Sequence, residues 1–548
     1  MAVNIYSNYP PELTSDQEDF LVQAVKNWSV EHALTVRPST AIVSQEINTN
    51  NVLATNAPVT LFPSPFPKAC FQQARSLQQV YNELYAAIAS DQEWLEDVLK
   101  ELIEVDDFLA NLWKIHLAVK EEGYVQDLTL GLFRSDYMLH TPDDAPPSLK
   151  QVEFNTISSS FGGLSVKVAQ LHTHLATYPS AKRPVAYPPH ALFARSDKDS
   201  SNGPSINTIG HPPPNSAVST LTAGLAAAHT EYGPSKSTPQ LPLCVLFLVQ
   251  DNERNVFDQY ALSTNLYEEH RIPSFRLPTS KILTSTSIPS KETNPNRPLI
   301  YTPPSSPETQ YEVTVVYFRA LYAPSEYDLP TSWAARLHLE RSAAIKCPTV
   351  LLQLSGSKKI QQVLTSLLPE ADHLQHFLPG HDASILSNLR STFAPQYSLS
   401  SEGSASDGDE IQGVKLALSP TTAQHHVLKP QREGGGNNIY RTNIPPFLAS
   451  IPRSQWKQYI LMELIQPPTS AKNVALRSDG QVVRGNVISE LGIFGTALWK
   501  TSTGSSKPDI LHNTEGGYLL RTKANDSDEG GVAAGFSSLD SLILYEEL

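Results

Sequence analysis

Glu433 stands immediately before three consecutive glycines in the stretch LKPQREGGGNN, Leu428 to Asn438. Glycines let backbone N–H groups approach a phosphate closely. Lys429 adds a point charge suited to the same phosphates, and the carboxylate offers a hard oxygen to Mg2+. No GKS or GKT follows, so the stretch is not a P-loop. A bare glycine triplet also describes an ordinary surface loop; the adjoining Lys429, Arg432, Glu433, Asn437 and Asn438 weigh against that reading.

Three further stretches carry chemistry. In VEFNTISSSFGGL (152–164), Glu153 and Asn155 are two apart on an expected strand, so both side chains leave one face. A carboxylate and an amide oxygen together suit Mg2+; taken alone, a solvent-facing polar pair fits as well. In QLSGSKKIQQVL (353–364) a Gly-Ser turn leads into Lys358 and an amphipathic helix, where Lys358 either reaches a phosphate or starts a solvated helix. LRTKA (520–524) precedes GGVAAG (530–535), a basic pair beside a small-residue loop that would hold a substrate carboxylate under a lid, or form a surface turn.

These stretches need elements to position them. Ser15 and Glu18 read as a capping box, with Phe20, Leu21, Ala24, Val25 and Trp28 on one helical face. Further helices are expected over about 68–89 and 91–121. From about 126, LTLGLFRSDYML and LKQVEFNTIS read as two strands. Residues 178–216 read as an inserted loop rich in Ser, Pro and Asn, and 217–231 as a helix. LCVLFLV, DNERN and VFDQYALSTNLYEEH read as strand, loop and helix, followed by the buried strand EVTVVYF at 312–318. Residues 284–310 and 399–413 read as surface insertions, and no internal repeat is present.

Composition bounds the answer. With 548 residues and 40% apolar content the chain can build a sizeable core, and 18% charged residues exclude a wholly disordered chain. A net charge of −14 argues against a general nucleic-acid binder, which carries a basic surface, but allows a local basic pocket. Cys70, Cys244 and Cys347 form no CxxC pair, so neither a disulfide framework nor a structural zinc site is expected, and a reducing compartment fits. The first residues lack a basic stretch followed by an apolar one. Apolar runs such as Val245 to Val249 fall far short of the ~20 residues of a membrane span. A cytoplasmic protein is the expectation.

Taken together, FRSDYM (133–138), VEFNTISSSFGGLS (152–165), NERNVFDQ (252–259), QLSGSKK (353–359), VLKPQREGGGNN (427–438), ISELGIFG (488–495) and LLRTKA with GGVAAG (519–535) closely resemble the eukaryotic-type glutathione synthetases. These are ATP-grasp ligases. The motifs run in the family's order and span most of the chain.

The resemblance implies an α/β fold of the ATP-grasp type, with an inserted α/β substrate-binding domain and a C-terminal lid. Residues 1–241 would be an N-terminal helical region and the first part of the body, 242–350 the substrate domain, and 351–548 the remainder with its lid loops. It implies the ATP-dependent joining of γ-glutamylcysteine and glycine through an acyl phosphate, with two Mg2+ per site, in a homodimer. Glu153, Asn155 and Glu433 match the Mg2+ ligands. Lys358 and Lys429 match lysines that touch ATP, and Gly434, Gly435 and Gly436, flanked by Pro430, Gln431, Arg432, Asn437 and Asn438, match the loop over its phosphates. Met462, Glu463, Leu464 and Ile465 match the hinge that meets adenine. Tyr440, Glu490, Lys523 and Glu529 match other nucleotide contacts. Around the dipeptide the matches are Arg134, Ile157, Ser158, Ser159, Ser160, Glu253, Arg254, Asn255, Gln259, Arg319, Ala320, Leu321, Tyr322 and Arg521. Val532 and Ala533 match the lid. Arg134, Lys358, Lys429 and Arg521 are the expected catalytic set.

Three positions depart from the family pattern: Leu321 stands for Gly, Leu464 for Lys, and Glu529 for Asp. Two rival expectations remain. One is a related ligase with another acceptor amine, such as β-alanine. The other is an inactive nucleotide-binding homologue, against which all three Mg2+-type ligands count.

Overall fold

A computed structural model describes residues 8–142, 145–177, 186–193, 210–365, 372–400, 412–501, 507–525, 532 and 537–546. The strands that position the site are β1 (Leu128–His140), β2 (Ser148–Asn155), β3 (Leu243–Val249), β4 (Tyr311–Phe318), β5 (Ile345–Cys347), β6 (His426–Pro430), β7 (Tyr459–Glu463), β8 (Val482–Lys500) and β9 (Asp509–Ala524). Seven of them lie in one mixed sheet of thirteen strands among the described residues. Its centre is antiparallel: β8 pairs with both β1 and β9, and β1 pairs with β2.

On the other side β1 meets β5 in parallel through Lys346 and Thr129, β5 runs parallel to β4, and β4 to β3. The 242–350 region therefore continues the central sheet. Strand β3 and the helix Val256–His270 form a β–α crossover there, with the 250–255 loop at the carboxyl end of β3. Open α/β sheets bind ligands at that edge. A separate four-stranded sheet holds Gln396–Ser398, β7, β6 and Ile439–Tyr440, in that order.

One stacking contact sets the direction of the site's side chains. The helix Lys68–Ser90 packs against the sheet, and Tyr85 stacks on Phe154 of β2 with centroids 3.9 Å apart. Phe154 faces this core, so its strand neighbours Glu153 and Asn155 leave the opposite face. Filling that position with Phe contributes about 3 kcal/mol, and truncation to Ala would leave a cavity.

Several expectations change on contact with the structure. The first helix is Ser15–Glu31, and its capping box is Thr14 with Gln17, one residue earlier than Ser15 with Glu18. Leu21, Val25 and Trp28 are buried, but Phe20 is exposed. The expected helix over 91–121 is two, Gln92–Ile103 and Asp107–Glu122. The Asp106 carboxylate accepts from the N–H groups of Phe108 and Leu109, both at 3.1 Å, and so starts a second helix within an apolar pattern that runs through.

Residues 284–310 are not merely a surface insertion. Leu299–Tyr301 is a buried strand beside β4, and the buried Arg297 pairs with Glu122 at 2.7 Å. Of 178–216, residues 178–185 and 194–209 lie outside the described residues; Tyr187, Leu192 and Phe193 are buried in the core. Of 399–413, residues 401–411 lie outside, while Leu399 and Gly413 are buried.

Candidate active site

Strand register brings the polar residues of β1, β2, β8 and β9 into one row. Arg134 faces Asn155 and Asp136 faces Glu153 across β1 and β2. Gly492 faces Asp136, and Glu490 faces Arg521 across β8 and β9. Arg134 Nε and Nη2 donate to the two Asp136 oxygens at 2.6 and 2.8 Å, a bidentate pair. Arg521 Nη2 donates to Asp136 Oδ2 at 3.0 Å and to Glu490. Asn155 Nδ2 donates to Asp136 Oδ2 at 2.9 Å and to Arg134 O at 3.1 Å. Its amide oxygen takes no part in those two bonds.

Beside this row two carboxylates converge on one ammonium. Lys358, first residue of the helix Lys358–Leu364, sets Nζ 2.9 Å from Glu153 Oε2 and 3.3 Å from Glu433 Oε1. Burial works against both carboxylates, with opposite net results. For Glu153 it is outweighed by Lys358, Lys429 and Arg521, which hold the carboxyl well below its usual range. For Glu433 burial wins over Lys358, and the group is pushed up to about 7. Burial also lowers Lys429, whose Nζ on β6 donates to Val152 O at 2.9 Å. Lys358 is raised, because Glu153 and Glu433 outweigh its burial. Burial raises Glu490, against the pull of Arg521.

The glycine loop follows Glu433 directly and is exposed. Gly434 and Gly436 have φ of +76° and +95°, which side chains disfavour. A Cβ at Gly434 would sit 3.4 Å from the Tyr322 ring, so the loop reaches the β4 side of the site. Asn437 Nδ2 donates to Gly434 O at 2.9 Å, and Asn438 Nδ2 to Tyr440 Oη at 3.2 Å. Gln431, just past Pro430 at the end of β6, accepts from Lys359 N at 2.9 Å. Ala394, Val427, Met462, Tyr440, Leu464 and Ile465 form a small apolar cluster along β6 and β7, the kind of flat surface a base requires. Glu463 accepts from Tyr397 Oη at 2.9 Å, and Leu464 N donates to His425 O at 2.8 Å. Leu464 enters hydrogen bonding there through its backbone, so Lys is not needed at that position for this contact. Arg432 turns away, to Asp106 at 2.6 Å.

A second buried ion pair organises the β3–β4 side. Arg319 Nη1 donates to Ser159 O at 2.7 Å and to Ser158 O at 3.2 Å, and Nη2 donates to Ser160 Oγ at 2.8 Å and Asp258 Oδ2 at 3.3 Å. Asp258 also accepts from the N–H groups of Phe161 and Gly163 at 2.9 and 2.7 Å. Glu253 accepts from Asn255 N at 2.7 Å and Gln259 Nε2 at 2.6 Å. Ile157 and Ala320 are buried behind this turn. Leu321 holds φ +66°, a left-handed backbone that explains why glycine suits the position. Arg254 instead donates to Arg37 O at 3.1 Å, on the N-terminal segment.

Lys523 lies on β9 in register with Ile488 and Ser537. Val532 is buried, whereas Glu529 and Ala533 lie outside the described residues. Asp136 and Asp258 are the two central groups that the sequence reading passed over. Both stand inside motifs it quoted, FRSDYM and NERNVFDQ, and Asp136 is two residues from Arg134, the strand spacing that shares a face. Among the described residues no group of three His, Cys, Asp or Glu side chains is arranged to hold a metal.

The chain is similar to known proteins. A family model of the eukaryotic glutathione synthase ATP-binding domain matches residues 15–544. The chain belongs to the eukaryotic glutathione synthase family. Within the family it is 36% identical over 509 residues to the glutathione synthetase large chain of Schizosaccharomyces pombe, covering 90% of this chain and 92% of that one. It is 37% identical over 499 residues to the glutathione synthetase of Homo sapiens, covering 91% and 92%. The chloroplastic glutathione synthetase of Solanum lycopersicum is 37% identical over 492 residues, covering 89% and 78%. A glutathione synthetase-like effector from Globodera pallida shares the fold with a TM-score of 0.68 at 19% identity, over 97% and 98% of the two chains. Family membership makes the chain an ATP-binding ligase of the glutathione synthase type. No helix of the described residues is long and apolar enough to cross a membrane.

Proposed function

We propose that the chain joins γ-glutamylcysteine to glycine at the expense of ATP, giving glutathione, ADP and phosphate. The observation that carries this reading is the convergence of Glu153 and Glu433 on Lys358, with a glycine loop directly after Glu433 and a row holding Arg134 and Arg521 beside them. In the proposed reaction the cysteinyl carboxylate attacks the γ-phosphorus and ADP leaves. Glycine's amine then attacks the acyl carbon and phosphate leaves. The buried Lys358 and Lys429 stabilise the charge spread over the transferred oxygens. Gly434 to Gly436 lay backbone N–H groups along the phosphates. The apolar cluster around Met462 takes the base.

Mg2+ fits the donor set. Two carboxylates already share one cation, and Glu433 sits in a site that disfavours its charge until more positive charge arrives. Glu153, Glu433 and the Asn155 amide oxygen would hold it, and the bound ion would screen the ATP phosphates. Two ions per site, a homodimeric assembly and a cytoplasmic location belong to the same proposal.

Arg134, Arg319 and Arg521 give the dipeptide carboxylates fixed partners, and the sequence GGVAAG at 530–535 has only small side chains beyond Val532, which suits glycine as acceptor. The test is ADP release with γ-glutamylcysteine and either glycine, β-alanine or no acceptor. Release that depends on both γ-glutamylcysteine and glycine is expected. Equal efficiency with β-alanine would overturn the acceptor, and no release with either would overturn the ligase reading.

A further inference from the structure

Arg134 and Arg521 are long side chains, and their proposed task requires fixed guanidiniums. We propose that Asp136 is the positioning residue for both, one carboxylate that sets the spacing of two arginines so that their remaining N–H groups face a carboxylate-bearing substrate. The inference rests on assigning those arginines to the dipeptide.

Asp136 is fully enclosed, and four N–H donors meet on it. Oδ1 takes Arg134 Nε. Oδ2 takes Arg134 Nη2, Asn155 Nδ2 and Arg521 Nη2. With Nε and Nη2 held, Arg134 directs Nη1 at Ser160 O, 3.2 Å away. That is the turn that Arg319 grips from the other side. Arg521 has a second partner in Glu490, so a substrate carboxylate that displaces Glu490 would still find the guanidinium anchored by Asp136. Anchoring before the substrate arrives removes ordering from the binding step.

The fold makes room for this arrangement at one position. Gly492 faces Asp136 across the sheet, and a Cβ there would lie 2.6 Å from Arg134 Cδ and 2.8 Å from Asp136 Oδ1. A side chain at 492 would push both partners at once.

The experiment uses the full chain with Asp136→Asn, which keeps the shape and removes the charge, and Gly492→Ala, which displaces the clamp without altering charge. Asp136→Asn is expected to raise KM for γ-glutamylcysteine by about 10-fold or more and to lower kcat, with KM for ATP within about twofold. Gly492→Ala should give the same selectivity at smaller size. If Asp136→Asn does not fold, Gly492→Ala decides. A purely structural role would lower the yield and melting temperature while the folded fraction kept its KM for the dipeptide, and that result overturns the proposal. Arg134→Gln and Arg521→Gln run alongside. If these move only the ATP constant, the arginine assignment fails; if they move the dipeptide constant and the folded Asp136 and Gly492 variants do not, the clamp fails.

Discussion

Two glutamates in this molecule, one fully and one largely buried, have opposite surroundings. Glu312, on β4, is fully buried and accepts from Tyr232 Oη, Ser235 Oγ, Ser237 Oγ and the N–H groups of Lys236 and Ser237, at 2.6 to 2.9 Å. Burial opposes its charge, but those donors outweigh it and the carboxyl lies below its usual range. Glu433 is 18% exposed, has Lys358 at 3.3 Å as its ion partner, and is pushed up to about 7. Glu312 is finished by the protein. Glu433 has fewer donors among the described residues, and under the proposed function a cation completes it. Burial alone therefore does not set the direction in which a carboxyl shifts; the number and kind of donors do.

The largest expected effect breaks the comparison on the functional side. Glu433→Gln should lower turnover by about 100-fold or more, because the neutral amide no longer supplies charge to the phosphate site. Its melting temperature without ligands should stay level or rise, since a poorly compensated charge is removed. Steady-state ADP release and thermal melting of the same preparation check both halves.

Glu312→Gln should do the reverse. An amide cannot accept from five donors, and the loss of stability should be about 3 kcal/mol, read by chemical denaturation. Turnover per folded molecule should stay near wild type.

The pH response should separate the two groups next. A carboxyl raised in the folded state adds stability that is complete below its unfolded pKa and is lost as pH rises through the folded value. For Glu433 that window runs from about 4.3, the ordinary value, to about 7. Glu312, being depressed, adds stability above its unfolded pKa that is lost as pH falls through its folded value. Melting in metal-free buffer should therefore show Glu433→Gln gaining on wild type as pH rises from 5 to 7.5, roughly spanning that window. Glu312→Gln should fall further behind wild type on going up from acid pH.

Much of the site was legible because its chemistry lies in short segments. The strand period of VEFN placed Glu153 and Asn155 on one face, and Phe154 against Tyr85 shows why. Asp136 offered only its strand spacing from Arg134; its second arginine partner, Arg521, lies 385 residues away and leaves no local pattern. The same holds for Asp106, whose capping role is hidden in a continuous apolar repeat. Averaged composition misjudged 284–310, where Leu299, Ile300 and Tyr301 pack as a strand among Ser, Thr and Pro.

The smallest expected effect concerns 401–411. Replacing that stretch by a brief Gly/Ser linker, while keeping the buried Leu399 and Gly413, should leave turnover and melting temperature nearly unchanged. Its Ser-, Gly- and Asp-rich composition offers little apolar surface, and resizing a long loop costs under about 1 kcal/mol. A large fall in melting temperature would mean that the segment packs against the body.

The central claim, that Glu433 is an incomplete carboxylate awaiting a cation, is tested most directly by titrating Mg2+ into protein saturated with a non-hydrolysable ATP analogue. Calorimetry on wild type and Glu433→Gln should show Mg2+ affinity at least about tenfold weaker in the variant, the loss expected when one charged oxygen ligand becomes neutral. Equal Mg2+ affinity in the two proteins would contradict it.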